Sequence, residues 1–357
     1  TLEAATEGAA LLAPRYEAER VSVALGAGEI FRPETIGAGS ATDEGSGDLA
    51  AGMAAAETRI EATYDTAAQY HNALEPHASV AAWDGDRLTL YTPTQALWIA
   101  KGRLAGLFGI PPENIHVVCH YLGGGFGSKG FIAAPQILGI MAAKLVGRPV
   151  KLVTRREQMF GPVGHRAATR QTLKLGAARD GTLTALDHHT LTLTSRHDDF
   201  VEPSGILSRH LYAAGAIATT HAVSRADIGT PIFMRAPGEA SGSVAVESAL
   251  DELALELDLD PLEIRLRNYA EVEPITHRPF SSKALRECYA QGAARFGWAS
   301  RPRQPRQMRD ADGLLVGWGL GTATYPAGMM QGEARATIRA DGTALIETAA
   351  HDMGQGA

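Results

Sequence analysis

Apolar and polar residues alternate with a period of two over several short segments of the chain, which is the pattern of half-buried β-strands. Three pairs of such segments flank an Asp-Gly step, a strong signal for a tight hairpin turn. The middle pair joins 171–177 to 182–195. The pattern predicts strands at 58–66, 115–122 and 148–154, a turn and strand over 70–83, and hairpins that turn at Asp84-Gly85, Asp180-Gly181 and Asp341-Gly342.

Helical periodicity separates these strands. Apolar residues recur at helical spacing over 95–108, and Thr94 in front of them is suited to an N-cap. Asp260, Pro261 and Glu263 form a start signal for another helix. Strand pairs that alternate with single helices predict a mixed α+β or α/β fold with at least two subdomains. Further helices are predicted over 2–13, running into a strand near Tyr16, and over 131–146, 243–257 and 283–296.

The composition narrows the class of protein. The 357 residues include 39 glycines and 18 prolines and carry a net charge of −7, so the chain is rich in turns and mildly acidic. Such a chain without a basic run has no electrostatic footprint for nucleic acid. Its two cysteines are too few for an iron–sulfur cluster or a Cys-rich zinc site held by this chain alone. The N-terminus lacks the basic region of a signal peptide, and the uncharged run 313–332 contains six glycines, which argues against a membrane span.

A run of glycines lies between a predicted strand and a predicted helix. In the segment 123–130, GGGFGSKG, three consecutive glycines let backbone N–H groups approach an anion, and the start of the helix adds a partial positive charge. Gly125, Gly127 and Gly130 also satisfy G-x-G-x-x-G, and Arg155 after the next strand suits the 2′-phosphate of NADP. The antiparallel hairpins that follow do not suit a dinucleotide fold, and a tight turn without a ligand is a third interpretation.

Other polar residues stand where chemistry is possible. Gln95 lies near a helix N-terminus, where most glutamines are surface or capping residues. Arg235, between apolar residues and a Pro-Gly turn, suits an anionic ligand or a structural pair with Glu239. Glycines bracket polar side chains in Met353-Gly354-Gln355-Gly356, which allows close approach of the backbone to a ligand. His188 and His189 lie on opposite faces of a strand, so they cannot both ligate one ion, and we interpret them as structural or surface residues.

Several motifs occur in one order along the chain. They are YHNALEPHASVAAW (70–83), YTPTQALW (91–98), GIPPENIHVV (109–118), LGGGFGSK (122–129), FMRAPGEASG (233–242), DPLEIRLRN (260–268) and DMGQGA (352–357). This ordered set resembles the molybdenum-cofactor-binding subunit of the xanthine oxidase/aldehyde oxidase family. It most resembles the bacterial aldehyde oxidoreductase branch, whose catalytic subunit carries molybdopterin cytosine dinucleotide.

The resemblance implies roles for residues already noted. It implies that Gln95 hydrogen-bonds the apical oxo ligand of the metal and that Arg235 helps to form the metal site. Arg209 corresponds loosely to an active-site arginine of some members. No side chain is expected to ligate molybdenum, because the pterin holds it. The remaining implied cofactor-binding residues are Gly124, Gly125, Phe126 and Gly127 on the metal and pterin side, and Met353, Gly354, Gln355 and Gly356 on the pterin and phosphate side.

The resemblance also implies an activity and partners. We expect oxidation of a small aldehyde to a carboxylic acid with water, with electrons passed to a 2Fe-2S subunit and an FAD subunit in the cytoplasm or periplasm of a bacterium. Purine-oxidising members carry a glutamate and a phenylalanine where this chain has Gly130 and Pro237, which favours aldehydes over xanthine. The alternatives are an NADP-binding dehydrogenase domain that uses Gly125–Gly130, and a non-catalytic fragment.

The resemblance further predicts how the chain is divided. Residues 1–26 are expected to be the tail of a hammerhead-type domain, 27–57 a linker, 58–311 the first cofactor-binding domain and 312–357 the start of a second. The catalytic glutamate of the family is expected beyond Ala357, in the rest of the catalytic subunit. We therefore expect a domain fold that is incomplete at both ends and a chain that is inactive by itself.

Overall fold

The computed structural model of the chain describes residues 1–37, 39–326, 332–348 and 352–356. The strands are Ile30–Phe31 (β1), Thr35–Ile36 (β2), Ser40–Ala41 (β3), Glu44–Ser46 (β4), Thr58–Thr66 (β5), Ala78–Asp84 (β6), Arg87–Tyr91 (β7), Ile115–Val118 (β8), Val150–Val153 (β9), Thr169–Ala177 (β10), Leu183–Ser195 (β11), Ile217–Ala226 (β12), Ala334–Ile338 (β13) and Ala344–Thr348 (β14). The α-helices are Leu2–Leu11 (α1), Leu49–Ala55 (α2), Leu97–Phe108 (α3), Ala134–Val146 (α4), Glu239–Glu256 (α5), Pro261–Arg267 (α6) and Leu285–Phe296 (α7). Short 3-10 turns lie at Pro112–Asn114, Arg156–Phe160, Ser204–Arg209 and Trp298–Ser300.

The larger sheet is built from the middle of the chain. Its strands follow the order β1-β12-β11-β10-β5, and β4 also pairs with β12. Strand β10 pairs antiparallel with both β5 and β11, with the predicted turn at Asp180-Gly181 between β10 and β11. Strands β11 and β12 are parallel, which requires a long connection between them. This connection contains the turn Ser204–Arg209, and Leu207 of this turn lines the cavity described below.

Helix α5 covers one face of the larger sheet. The helix predicted over 243–257 is confirmed, and its side chains Val246, Leu250 and Leu253 are all at most 1% exposed. These side chains pack in one cluster with Leu173 and Leu175 of β10. Each fully buried aliphatic side chain of this kind contributes about 1.5–3 kcal/mol, so this contact fixes the helix on the sheet.

The smaller sheet carries the glycine-rich segment. Its order is β8-β7-β6-β9, with β7 and β8 parallel and β6 antiparallel to both β7 and β9. Leu104 of α3 and Ile140 of α4 are buried with Leu88 and Leu90 of β7, so both helices pack on the same face. The glycine-rich segment connects β8 to α4. Together with the larger sheet, this unit confirms the predicted mixed α+β class.

Three local predictions were wrong. The weakly patterned segment 27–57, read as a linker, instead contains β1 and β4, which extend the larger sheet by pairing with β12. Helix α3 begins at Leu97 with Ala96 as its N-cap, so Thr94 is not the capping residue. The Thr94 hydroxyl instead accepts from Ala96 N and donates to the Lys129 carbonyl. No strand forms near Tyr16, which is 87% exposed, because no described neighbouring strand pairs with it.

The last described hairpin matches its prediction. Strands β13 and β14 pair antiparallel on either side of Asp341-Gly342, and every residue of both strands is exposed. Within the described residues, none of the helices is both long and apolar enough to cross a membrane.

Candidate active site

The glycine-rich segment folds into a tight loop, which we call the glycine loop (residues 123–130). Gly124, Phe126 and Gly127 all have positive φ angles, of 87°, 54° and 111°, and this backbone conformation is costly for a residue with a side chain such as Phe126. Among the described residues, the backbone N–H groups of Gly124, Gly125 and Phe126 have no hydrogen-bond acceptor. Three successive free N–H groups are a suitable cradle for anionic or carbonyl oxygens.

Gln95 holds the loop in this shape. Its side-chain oxygen accepts hydrogen bonds from Gly127 N at 2.8 Å and from Lys129 N at 3.2 Å. A Cβ atom on Gly125 would collide with the side chain of Gln95, so the glycine permits this close packing. With its amide oxygen engaged in this way, Gln95 presents its NH₂ group as a donor.

A second loop, residues 233–238, packs against the glycine loop, and we call it the arginine loop. Arg235 N donates to the carbonyl of Phe126 at 2.9 Å, and a Cβ on Gly127 would overlap the carbonyl oxygen of Phe233. Buried Arg166 supports the arginine loop from behind by donating to the carbonyls of Arg235, at 2.6 Å, and Ala236, at 3.3 Å.

The charge of Arg166 is balanced by a fully buried carboxylate. Glu202 Oε1 accepts from Arg166 Nη1 at 2.7 Å, from Gly238 N at 2.9 Å and from the Ser241 hydroxyl at 3.0 Å. These bonds tie the end of the arginine loop to the connection between β11 and β12. A buried ion pair with several extra hydrogen bonds fixes backbone position, and breaking it leaves an uncompensated charge.

The side chain of Arg235 takes no part in these hydrogen bonds. It is exposed, and no described residue forms a hydrogen bond or ion pair with its guanidinium group. The predicted structural pair with Glu239 is therefore absent among the described residues. Burial and the nearby Glu202 carboxylate raise the pKa of Glu239, at the start of α5. Arg235 is left available to an anionic or strongly polar ligand.

The two loops form one side of a cavity of about 680 Å³. Three of the predicted site positions that are far apart in the sequence, Gln95, Phe126-Gly127 and Arg235, line this one space. The other lining residues come from the Ser204–Arg209 turn, the arginine loop, α5 and the segment ahead of β13. They are Leu207, Met234, Ala236, Pro237, Glu239, Ala240, Ser243, Ala323, Thr324 and Tyr325. A cavity with convergent polar groups and a perturbed carboxyl is a candidate active site.

Several sequence-predicted site residues do not line the cavity, namely Gly124, Gly125, Arg209 and Met353–Gly356. Arg209 is 2% exposed and donates to Glu44 at 2.5 Å, to the Thr219 hydroxyl and to the carbonyls of Ala41 and Thr42. The guanidinium of Arg209 thus joins β4 to β12 and lies outside the cavity lining, so its expected role in the active site has no support from this arrangement. Met353–Gly356 form an exposed turn in which Asp352 accepts from the N–H groups of Gly354 and Gly356.

The alternative NADP site is also not supported by the fold. Strands β8 and β9, which flank the glycine loop and α4, lie at opposite edges of the smaller sheet, whereas a dinucleotide unit places such strands side by side. Arg155 is exposed and pairs with Glu157 at 3.0 Å, away from the cavity lining.

Sequence reasoning missed the residues behind the cavity wall. Arg166 and Glu202 carry no motif and lie 36 positions apart, so only the fold brings them together. Glu75 and His77 lie in the motif at 70–83, but the motif by itself does not indicate their contacts to the glycine loop. The available signal for these two residues was the sequence Glu-Pro-His directly ahead of a predicted strand, which places two polar side chains at its start.

A family model described as "Molybdopterin cofactor-binding domain" matches residues 32–269, and a second model with the same description matches residues 291–357. The chain belongs to the molybdopterin cofactor-binding family. The resemblance inferred from the ordered motifs, to molybdenum-binding subunits of the xanthine oxidase family, is confirmed. In this family member, the two loops and Gln95 fall within the first matched range, and Met353–Gly356 fall within the second.

Curated relatives point in the same direction. The chain is 38% identical over 315 residues to the aldehyde oxidoreductase molybdenum-binding subunit PaoC of Escherichia coli K12, covering 88% of this chain and 43% of the relative. It is 29% identical over 324 residues to the putative xanthine dehydrogenase molybdenum-binding subunit XdhA of the same strain, covering 87% of this chain and 43% of the relative. The chain thus spans less than half the length of these relatives.

Solved structures show the same fold. The aldehyde oxidoreductase from Desulfovibrio gigas superposes with a TM-score of 0.73 at 23% identity, covering 88% of this chain and 36% of that one. Quinoline 2-oxidoreductase from Pseudomonas putida 86 gives a TM-score of 0.68 at 20% identity, covering 88% and 44%. At these identities the likeness concerns the fold alone.

Proposed function

We propose that this chain forms the first part of the catalytic site of a molybdenum hydroxylase that oxidises aldehydes to carboxylic acids. The observation that carries the proposal is the convergence of Gln95, the glycine loop and Arg235 on one cavity. The family supplies the cofactor class, and the similarity to an aldehyde oxidoreductase subunit supports the substrate class.

The residues at the cavity fit a molybdopterin cofactor. The free N–H groups of Gly124, Gly125 and Phe126 form a cradle for electronegative ligand atoms, and glycine at positions 124 and 125 adds no side chain there. Arg235 adds a cation without a partner among the described residues, which suits a strongly anionic cofactor. When bound, the molybdenum centre would supply the two-electron redox chemistry, which side chains cannot provide.

The chain's own residues would orient and polarise the bound cofactor and substrate. The NH₂ group of Gln95 would donate to an oxygen ligand near the metal, while its side-chain oxygen keeps the glycine loop closed. Arg235 would stabilise negative charge at the same edge of the cavity. Burial raises the pKa of Glu239. In its ionised form, Glu239 would repel an anionic substrate and would not repel a neutral one.

We further propose the finer points that the motifs imply. The cofactor is the cytosine dinucleotide form, with Met353, Gly354, Gln355 and Gly356 on its pterin and phosphate side. The electrons leave through 2Fe-2S and FAD partner subunits. Pro237, in place of a phenylalanine, favours a small aldehyde over a purine. The general base is a glutamate in the rest of the catalytic subunit, so this stretch of chain is inactive by itself.

Analysis of the full-length subunit, purified with its native partners, tests this proposal. We expect about one molybdenum per subunit by elemental mass spectrometry, cytidine monophosphate after acid release, and dye reduction that depends on an aldehyde. Xanthine serves as the comparison substrate and is expected to give little reduction. A preparation with neither molybdenum nor pterin would overturn the proposal, and preferential turnover of xanthine would overturn the substrate class.

A further inference from the structure

We propose that residues 70–77 are a positioning element that sets the glycine loop and the arginine loop relative to each other, acting through His71, Glu75 and His77. None of these three residues lines the cavity. Each contacts one of the two loops that do. The inference concerns contacts within this chain, and its significance for catalysis rests on the proposed function.

His71 holds the arginine loop. Its Nε2 lies 2.8 Å from the carbonyl oxygen of Phe233, and because a carbonyl only accepts, Nε2 carries the proton. The same carbonyl oxygen abuts Gly127, where a Cβ would overlap it. His71 therefore fixes the point at which the two loops touch. Its Nδ1 is buried and has no partner among the described residues, and burial lowers the pKa of the ring, which keeps it neutral.

Glu75 brackets the glycine loop. Its Oε2 accepts from Gly123 N at 2.8 Å, at the start of the loop, and from Lys129 Nζ at 2.9 Å, near its end. Lys129 is completely buried and also donates to the Glu75 backbone carbonyl at 2.8 Å. Burial lowers the pKa of Lys129, and the carboxylate of Glu75 offsets part of this effect. One carboxylate thus closes the base of the loop.

His77 fixes the same loop at a third point. Its Nε2 donates to the carbonyl of Ser128 at 3.1 Å, and Nδ1 lies 3.5 Å from the sulfur of Met159. The ring is fully buried and neutral over the physiological range, because burial lowers its pKa to about 4. The short segment from His71 to His77 thus connects the arginine loop, through His71, to the glycine loop, through Glu75 and His77.

The segment is itself anchored to a separate part of the fold. Arg156 donates to the carbonyls of Ala73 and Leu74, both at 2.7 Å, and Ala73 is fully buried. Because Arg156 belongs to neither loop, this anchor lets the segment act as a common reference for both. A change at His71, Glu75 or His77 is therefore expected to shift a cavity wall without removing any group from the cavity.

Hydrogen–deuterium exchange on the full-length subunit in its complex tests the proposal directly. In His71→Leu the protected amides of 231–238 should exchange about tenfold faster, the effect of losing one hydrogen bond of about 1.4 kcal/mol. His71→Gln should retain most of the protection, since its amide nitrogen can donate to Phe233 as Nε2 does. Glu75→Ala should accelerate 123–130 in the same way, with a smaller effect for Glu75→Gln. His116→Gln, exposed on β8, is the matched control and should change neither peptide.

The outcomes separate positioning from general stability. Faster exchange confined to the two loops, restored by the glutamine variant and accompanied by lower molybdenum content or a raised KM, supports the inference. Unchanged loop exchange in His71→Leu and Glu75→Ala, or an equal acceleration in the distant helix α7, would overturn it. If His71→Leu fails to fold, the comparison of Glu75→Ala with Glu75→Gln decides. The exchange pattern is expected even in a protein without molybdenum, so failure of the proposed function is recognised separately.

Discussion

At the scale of single residues, Gln95 both shapes the glycine loop and lines the cavity. Its oxygen is the only described acceptor for the N–H groups of Gly127 and Lys129, and its nitrogen remains available at the cavity. A residue with only an acceptor, or only a donor, could not do both.

Gln95→Ala should therefore disturb the loop as well as the cavity. Two loop N–H groups lose their acceptor, which we expect to lower the free energy of unfolding by about 1–3 kcal/mol. Gln95→Glu keeps an acceptor in the same place and should cost clearly less. Urea unfolding and molybdenum content of the full-length subunit are the measurements. Equal stability of the alanine variant and the natural protein would contradict this prediction.

A second residue-scale prediction concerns pH. His188 is fully buried between Ser208 and Gln171, and burial together with nearby His221 lowers its pKa to about 3. An unfolded histidine titrates near 6.5, so between about pH 6.5 and 3 the unfolded state binds the extra proton. Stability is therefore complete above pH 6.5 and declines as the pH falls, by up to about 1.4 kcal/mol per unit for this group.

His188→Gln should flatten that decline. Urea titrations at pH 7, 6 and 5 would show a smaller loss of unfolding free energy in the variant than in the natural chain. His120→Gln is the matched control, because the side chain of His120 is exposed in the folded chain as in the unfolded one. An identical pH dependence in natural chain and His188→Gln would exclude His188 as a source of acid sensitivity.

At the scale of elements, the glycine loop depends on backbone that only glycine provides. Gly127 has a φ of 111°, and its α-carbon lies against the Phe233 carbonyl. Gly106, in the exposed part of α3, has open space around the position of a Cβ and ordinary helical surroundings. The same substitution should thus have opposite effects at the two positions.

Gly127→Ala should separate the two loops and destabilise the protein by several kcal/mol, with loss of bound molybdenum. Gly106→Ala should raise stability by about 0.5–1 kcal/mol, because glycine is unfavourable in a helix interior. Thermal unfolding of both variants beside the natural protein measures the contrast. A Gly127→Ala protein with full stability and full molybdenum content would refute the packing argument.

At the scale of the whole molecule, a buried ion-pair network joins the two ranges matched by the family models. Arg265 in α6 donates to Glu247 of α5 at 2.8 Å, to Asp251 at 2.7 Å and to the carbonyl of Leu320 at 3.2 Å. Glu247 also accepts from Thr322 N at 2.9 Å. The next three residues line the cavity, so the network sets that wall of the site.

Arg265→Met should therefore cost about 3–5 kcal/mol, because it leaves Glu247 buried without its counter-charge. Exchange of the amides at 318–322 should increase as the segment is released. Arg170→Gln breaks an exposed pair with Asp65 and should cost less than about 1 kcal/mol. Comparable costs for the two variants in urea unfolding would show that the buried network does not hold the segment.

The fold was largely predictable where a pattern is local. The nine alternating residues of β5, the turn at Asp180-Gly181 and the buried face of α5 follow from period and turn chemistry. Segment 27–57 was not predictable in this way, because β1 and β4 have only two or three residues and exist through pairing with β12. Short strands of this kind carry almost no pattern of their own.

The candidate site divides along the same line. The ordered motifs by themselves pointed to Gln95, the glycine loop and Arg235 as site residues, and their role at a ligand stays a prediction; glycine is expected where backbone comes close to a large ligand. Only the tertiary structure decided that Arg209 is structural and that Arg166, Glu202 and residues 70–77 hold the cavity wall. Those contacts join residues up to 168 positions apart, and a buried charge or histidine finds its partner through packing, which leaves no local signature in the sequence.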